Sequence, residues 1–292
     1  MIDPGRLVQV LKEAFSEHCE TPERQIYTTG DNGNGLLVMP AWSYRGYLGI
    51  KIVTTTPGNA GTTVPFVQGF YTLFDQHTGS PLMQIDAGVL TNYRTAAASA
   101  LASTFLSRTD SNSLLMIGAG SLAPYLIQAH QSVRPITDVY IWSRNHNNAR
   151  QLARSLNATA VEHVDEVLPS VSIVSCATPS TSPLVKGSIL ASGQHLDLVG
   201  GYLPEMREVD DAAVIKSRIY IDTPDALKEA GDLIQPMRKG ALRASQIQGT
   251  LYDLCGGGKL GRQGSDEITL FKSTGHALED IATAVWLWEG AK

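Results

Sequence analysis

The residues best suited to chemistry stand in Leu114-Leu-Met-Ile-Gly-Ala-Gly-Ser-Leu-Ala123, where four apolar residues run into Gly118-x-Gly120-x-x-Ala123. A short buried strand, a glycine turn and a helix, in that order, form a device that holds a dinucleotide. Gly118 permits the tight turn, Gly120 lets the backbone approach a pyrophosphate, and the small Ala123 lets helix and strand pack closely. Backbone amides at the helix start, around Ser121, Leu122 and Ala123, then face the phosphates. Glycine patterns of this kind also occur in ordinary loops, so the context carries the weight. Here Pro124-Tyr-Leu-Ile-Gln-Ala-His130 continues with helical spacing.

A site selective for NAD places Asp or Glu about 20 residues beyond the glycines, at the end of the second strand, on the ribose 2′-OH. In this chain that strand, Asp138-Val-Tyr-Ile-Trp142, ends in Ser143-Arg144-Asn145, with no carboxylate. A hydroxyl and a guanidinium bind a 2′-phosphate instead, through charge-assisted hydrogen bonds. The expected cofactor is therefore NADP(H), with NAD(H) as the alternative. The bland alternative for Arg144 is a solvated loop residue.

Three cations stand out in the weakly charged first third of the chain. Arg24 follows the first predicted helix, Lys51 lies inside Leu48-Gly-Ile-Lys-Ile-Val53, and Arg94 opens an alanine-rich helix in Thr91-Asn-Tyr-Arg-Thr-Ala-Ala97. A lysine between isoleucines on a strand sits either on a solvated face or in a pocket, and the pattern does not choose. An arginine near a helix N-terminus opposes the helix dipole, which points to an anion beside it. Asp86 is the competing partner.

The elements that must position these groups follow from periodicity. Leu7, Val8, Val10, Leu11, Ala14 and Phe15 form the apolar stripe of an opening amphipathic helix. Strand-like runs follow at 35–39, 47–54, 66–74 and 81–85, the last two joined by the hairpin turn Asp75-Gln-His-Thr-Gly79. Thr91 or Asn92 is the expected cap of the alanine-rich helix, which runs to Leu106. The polar stretch Ser107–Ser113 reads as a domain boundary.

Beyond it, strands are expected at 114–117, 137–142, 158–161, 172–176, 195–199 and 218–222, with helices between several of them. That alternation predicts a parallel, doubly wound sheet. The apolar helix from Gly275 to Trp288 is expected to return to the helix-poor first domain. The fold class is thus α/β: a Rossmann-type doubly wound sheet over 113–270, plus a second α+β domain over 1–112 completed by 271–292.

Composition bounds the rest. The 292 residues suit two domains, and the net charge of −5 gives no basic footprint for nucleic acid or anionic membranes. No apolar run approaches the roughly 18 residues of a membrane span. The N-terminus, Met-Ile-Asp-Pro-Gly-Arg, lacks the order of a signal peptide. Cys19, Cys176 and Cys255 are odd in number and far apart, which favours reduced thiols in a cytoplasmic protein. The seven histidines show no metal-binding spacing, so no metal is expected.

Six segments occur in an order that resembles a known family: Met39-Pro40, Ile50-Lys-Ile-Val, Thr91-x-x-Arg-Thr-Ala-Ala, Ile117-Gly-Ala-Gly, Trp142-Ser-Arg-Asn and Ser273-x-Gly-x-Ala-x-Glu-Asp280. Together they resemble the ornithine cyclodeaminase/mu-crystallin family across nearly the whole length. The resemblance implies a homodimer whose first domain forms the dimer contact and binds a small amino or imino acid. It also implies that Arg24, Lys51 and Arg94 hold the substrate carboxylate beside the nicotinamide, and that Thr178 lies where its loop meets the cofactor.

Departures from the family pattern set the expected reaction. Cyclodeaminases carry an aspartate just after a Gly-Gly pair, where this chain has Gly200-Gly-Tyr202, and an acid two residues before Met-Pro, where it has Leu37. They also keep an acid for NAD where Ser143-Arg144 stands. Cyclodeamination needs a base for the substrate amine; reduction of a preformed cyclic imine does not. The resemblance is therefore closest to the ketimine reductases of the family. The expected activity is NADPH-dependent reduction of Δ1-pyrroline-2-carboxylate or Δ1-piperideine-2-carboxylate to L-proline or L-pipecolate. Lys51 is the expected proton donor or charge stabiliser, and Tyr202 a pocket wall or hydrogen-bond donor. Ornithine cyclodeaminase, alanine dehydrogenase and a binding-only mu-crystallin-like protein are the alternatives.

Overall fold

Two sheets carry the chain, and the computed structural model describes residues 2–30, 33–59, 62 and 64–291 of it. One compact unit comprises Gln9–Thr95 with the chain from His276 onward; the other comprises the chain up to Val8 with Ala96–Gly275. Two helices run from one unit into the other, α1 (Pro4–Ala14) and α2 (Ala87–Leu106). The division inside α2 falls earlier than the polar stretch 107–113.

The first unit holds an antiparallel sheet of β1 (Gln25–Thr28), β2 (Gly35–Tyr44), β3 (Tyr47–Thr55), β4 (Val67–Asp75) and β5 (Pro81–Asp86), paired in chain order. The β2–β3 turn has Arg45 and Gly46 at φ 51° and 79°, the two positive values that a tight hairpin requires. In the β4–β5 turn Asp75 Oδ1 accepts from the amides of His77 and Thr78, which fixes the expected hairpin. Strand β3 alternates: Gly49, Lys51 and Val53 are buried, whereas Ile52 and Thr54 are exposed. The C-terminal helix, Ala277–Gly290, packs against β2, β3, β4 and β5. Its first nine residues are all buried, Glu279 and Asp280 among them.

Helix α2 begins at Ala87, ahead of the expected cap at Thr91 or Asn92. Asp86 Oδ1 accepts the Val89 amide at 2.9 Å and serves as the cap. This corrects two expectations. Arg94 lies beyond the first turn, where the dipole argument no longer applies. Asp86 is occupied at the helix start rather than paired with Arg94.

The second unit contains β6 (Ser113–Ile117), β7 (Asp138–Trp142), β8 (Thr159–Ala160), β9 (Ile173–Cys176), β10 (His195–Leu198), β11 (Ser217–Ile221), β12 (Ile247–Thr250) and β13 (Ile268–Lys272). Every neighbouring pair is parallel, in the order β12-β11-β13-β10-β9-β6-β7-β8. The sheet has two strands that the sequence reading lacked. Strand β13 inserts between β10 and β11, and its Ile-Thr-Leu-Phe-Lys ends in a buried lysine, which hides a central strand. Strand β12 contains a glycine and is only half-buried.

Sequential strands run outward in opposite directions from the β6/β9 pair, so the sheet reverses there and leaves a crevice beyond the carboxyl ends. Gly118 follows β6 at this point, ahead of α3 (Ala123–Val133), with φ at +116°. A Cβ on Gly118 would lie 2.6 Å from the carbonyl oxygen of Ala177, in the loop after β9. A Cβ on Gly120 would meet nothing within 4 Å. The two glycines therefore serve different ends, which gives a paired test. Gly118→Ala should cost about 2 kcal/mol in urea unfolding, since backbone must shift. Gly120→Ala should leave stability unchanged while weakening dinucleotide binding, because its methyl group occupies ground that only a ligand would use.

Candidate active site

Lys51 resolves the ambiguity of its strand: it faces the buried side of the first unit's sheet and is 3% exposed. Its neighbours across the ladder are Met39 and Tyr71, both buried. The Lys51 Nζ lies 2.6 Å from Asp280 Oδ2, on the first turn of the C-terminal helix. Asp280 Oδ1 is 3.0 Å from Arg94 Nε, and Arg94 Nη1 donates to Glu279 Oε2 at 2.7 Å. Four buried ionic groups thus form one chain, Lys51–Asp280–Arg94–Glu279. The two acids sit at a helix N-terminus, where the dipole favours negative charge.

Burial lowers the Lys51 pKa to about 8, partly offset by Asp280, with the charges of Arg94 and Arg24 pushing the same way as burial. Arg24, half-buried just before β1, is thus near enough to act on the same ammonium. The structure brings all three sequence-identified cations into one electrostatic neighbourhood. It adds Glu279 and Asp280, whose roles the sequence left open. Counting Arg24, three cations and two acids share this neighbourhood. Leu37 shares the Met39 and Lys51 face of the sheet, two residues along β2. No proton can be held at that position.

The second unit positions the dinucleotide-type residues. Gly118 donates its amide to Trp142 at 2.8 Å, tying the turn to the end of β7. Gly120 and Ser121 are exposed, Leu122 is half-buried, and Ala123 packs inside at the start of α3. No side chain caps α3, which leaves its N-terminus suited to an anion. After β7, Ser143 is half-buried while Arg144 and Asn145 are exposed. Asn145 caps α4 (His146–Leu156) by accepting the Asn147 amide at 3.1 Å. These residues fit a bound dinucleotide: an uncapped helix start, an open glycine and a guanidinium at the second strand's end.

Three fully buried carboxylates at the strand ends of this unit stand outside the site residues expected from the sequence. Glu208 accepts from Thr178, Gly200 and Gly201; Asp232 accepts the Glu208 and Val209 amides and pairs with Lys272 at 3.2 Å. Asp222, at the end of β11, accepts from the Ser273 hydroxyl and from the Thr274 and Gly275 amides. Each holds loop backbone at the carboxyl ends of strands. The available signal was their position, since acids just beyond parallel strands sit where ligands bind. Acids in loops are usually solvated, and that rule masked them. Tyr202 is half-buried in the loop after β10, its phenol raised by burial.

Among the described residues no helix is long and apolar enough to cross a membrane. The sequence pattern of the ornithine cyclodeaminase/mu-crystallin family matches residues 5–292. A Δ1-pyrroline-2-carboxylate reductase of Colwellia psychrerythraea is 36% identical over 292 residues, spanning 95% of this chain and 92% of that protein. The structure resembles that of a Δ1-pyrroline-2-carboxylate reductase from Thermococcus litoralis in complex with NADH and L-proline. There the TM-score is 0.94 at 32% identity, over 99% of this chain and 94% of the other. It also resembles an archaeal alanine dehydrogenase dimer with bound NAD, with a TM-score of 0.92 at 28% identity, over 99% and 92% of the two chains. With the buried Lys51–Asp280–Arg94–Glu279 chain and the glycine turn on the matched span, the chain belongs to the ornithine cyclodeaminase/mu-crystallin family.

Proposed function

We propose that this chain reduces a cyclic imino acid, Δ1-pyrroline-2-carboxylate or Δ1-piperideine-2-carboxylate, with NADPH, giving L-proline or L-pipecolate. It is an NAD(P)-dependent oxidoreductase. The observation that carries the finer reading is the buried Lys51–Asp280–Arg94 chain of charges on a sheet face where position 37 is leucine rather than an acid. Ammonia release from ornithine needs a base for the amine, and neither Leu37 nor Tyr202 is a carboxylate.

Arg94 and Arg24 hold the substrate carboxylate, and the acids behind Arg94 keep its guanidinium in place. That fixes C2 of the imine for attack. When bound, the nicotinamide supplies a hydride to C2. The Lys51 ammonium gives a proton to the ring nitrogen, so that C=N becomes CH–NH. A group with a pKa of about 8 is charged at neutral pH and still a competent acid. Asp280 keeps that ammonium aimed and balances its charge.

The preference for NADPH rests on Arg144 and Ser143 at the end of β7, where no carboxylate stands to meet a ribose 2′-OH. The two solved relatives hold NADH and NAD. A homodimer through the first unit accords with its outer sheet face. Tyr27 of β1, Ile52 of β3 and Phe70 of β4 are 49%, 45% and 57% exposed there. Ile52 and Phe70 stand opposite each other in the ladder, beside Val38. A contiguous apolar face of this kind suits a partner surface, and the alanine dehydrogenase relative is a dimer. The cysteines are compatible with a cytoplasmic site of action.

Initial rates with both cyclic imines, each with NADPH and with NADH, test the reaction. The expected result is imine-dependent oxidation of NADPH faster than of NADH. No oxidation above the imine-free blank would refute the assignment; ammonia from ornithine with NAD, or NADH consumed with pyruvate and ammonia, would replace it. Light scattering tests the assembly. Phe70→Glu should convert a dimer to a monomer, and an unchanged dimer mass would exclude this face as the interface.

A further inference from the structure

Glu208 is a buried carboxylate that the reaction does not use. Its Oε1 accepts from the Thr178 amide at 2.7 Å and the Thr178 hydroxyl at 2.8 Å. Its Oε2 accepts from the Gly200 amide at 2.9 Å and the Gly201 amide at 3.3 Å. Thr178 lies just beyond β9, and Gly200 and Gly201 just beyond β10. One side chain thus gathers donors from the loops of two adjacent parallel strands.

The clasp extends to both sides. The Glu208 amide donates to Asp232 Oδ1 at 2.7 Å, and Asp232 Oδ2 lies 3.2 Å from Lys272 Nζ at the end of β13. In the other direction, a Cβ on Gly118 would stand 3.3 Å from Thr178 Cγ2 and closer still to Ala177. The strands β13, β10, β9 and β6 are contiguous in the sheet. Their carboxyl-end loops are therefore linked through two carboxylates, one ammonium and one glycine contact. The fit admits no slack: a Cβ on Gly200 would come within 2.2 Å of the Thr178 backbone, and one on Gly201 within 2.4 Å of Asp232. Burying three ionisable groups is expensive compared with an apolar core.

We propose that Glu208 is a positioning residue for the dinucleotide. By drawing the Thr178 and Gly200–Gly201 donors onto one carboxylate, it fixes the shape of the crevice that receives the cofactor. The proposal rests on dinucleotide binding by this unit and is independent of which imine is reduced. Four donors require an ionised acceptor; a protonated carboxyl carries its own hydrogen on one oxygen, and the donors facing that oxygen lose their acceptor.

The ionisation is poised for control. Burial pushes Glu208 up to about 7, with Lys272 opposing and Asp232 reinforcing the shift. The other titratable group facing it, Cys176 on β9, is held well above its usual range by burial and stays a neutral thiol. The carboxylate form therefore dominates above about pH 7, and the clasp loosens as pH falls below it.

Fluorescence titration with NADH tests this, since NADH has no phosphate that ionises between pH 6 and 8. The wild-type Kd should be about tenfold weaker at pH 6 than at pH 8. Glu208→Gln should bind about tenfold more weakly than wild type at pH 8, with no pH dependence, because its amide group cannot accept from all four donors. At saturating cofactor the KM for the imine should change less than about twofold, a split that general loosening would not give. Thr178→Val, which deletes only the hydroxyl donor, serves if Glu208→Gln fails to fold; it should weaken NADH by about threefold. NADH binding by Glu208→Gln within twofold of wild type, or a flat wild-type profile, would overturn the proposal. NADH binding that follows the predicted pattern without imine reduction would support it while refuting the substrate reading alone.

Discussion

Charge inside protein must be balanced where it lies, and that constraint organises both units of this chain. In the first, the buried face of the antiparallel sheet presents Lys51 and α2 presents Arg94. Neither is tolerable there unless Glu279 and Asp280 arrive from the far end of the chain. Removing one member of a buried ion pair leaves an uncompensated charge, typically at a cost of about 3–5 kcal/mol. The return of the C-terminal helix to the first unit is thus tied to the cations themselves.

The second unit solves the same problem for another purpose. Lys272, Asp232 and Glu208 are fully buried; the two carboxylates accept backbone amides, and Lys272 pairs with Asp232. Asp222 does likewise for Ser273–Gly275, the segment that leads into the C-terminal helix. A parallel sheet places all its carboxyl-end loops on one edge, where many amides need acceptors. Carboxylates supply them without demanding space for another strand.

Much of this was legible in the sequence. The glycine turn was visible because strand, turn and helix each have their own local pattern. Alternation along β3 failed to orient Lys51, since isoleucines flank it on both sides and only the cover of the C-terminal helix decides which face is buried. The start of α2 was misplaced because Asp86 caps from the last residue of a strand, where alternation hides a cap. Strand β13 was missed for a related reason: Lys272 is charged yet fully buried, and only its Asp232 partner, on a different element, explains it. Glu208 and Asp280 could not be assigned without three-dimensional partners. Local residue types report local structure; ion pairs across the chain do not announce themselves.

Lys51 stands at the centre of the site as a buried ammonium that both belongs to the charge chain and gives up a proton. The pH dependence of kcat/KM for imine reduction, measured from pH 6 to 10 on wild type and Lys51→Arg, tests that most directly. The wild-type value should fall about tenfold per pH unit above about 8, as the ammonium is lost. Arginine keeps the charge but does not release a proton in this range. Its variant should be at least about a hundredfold slower, with no fall near pH 8. A Lys51→Arg enzyme that keeps the wild-type rate, or the same descending limb, would contradict the account.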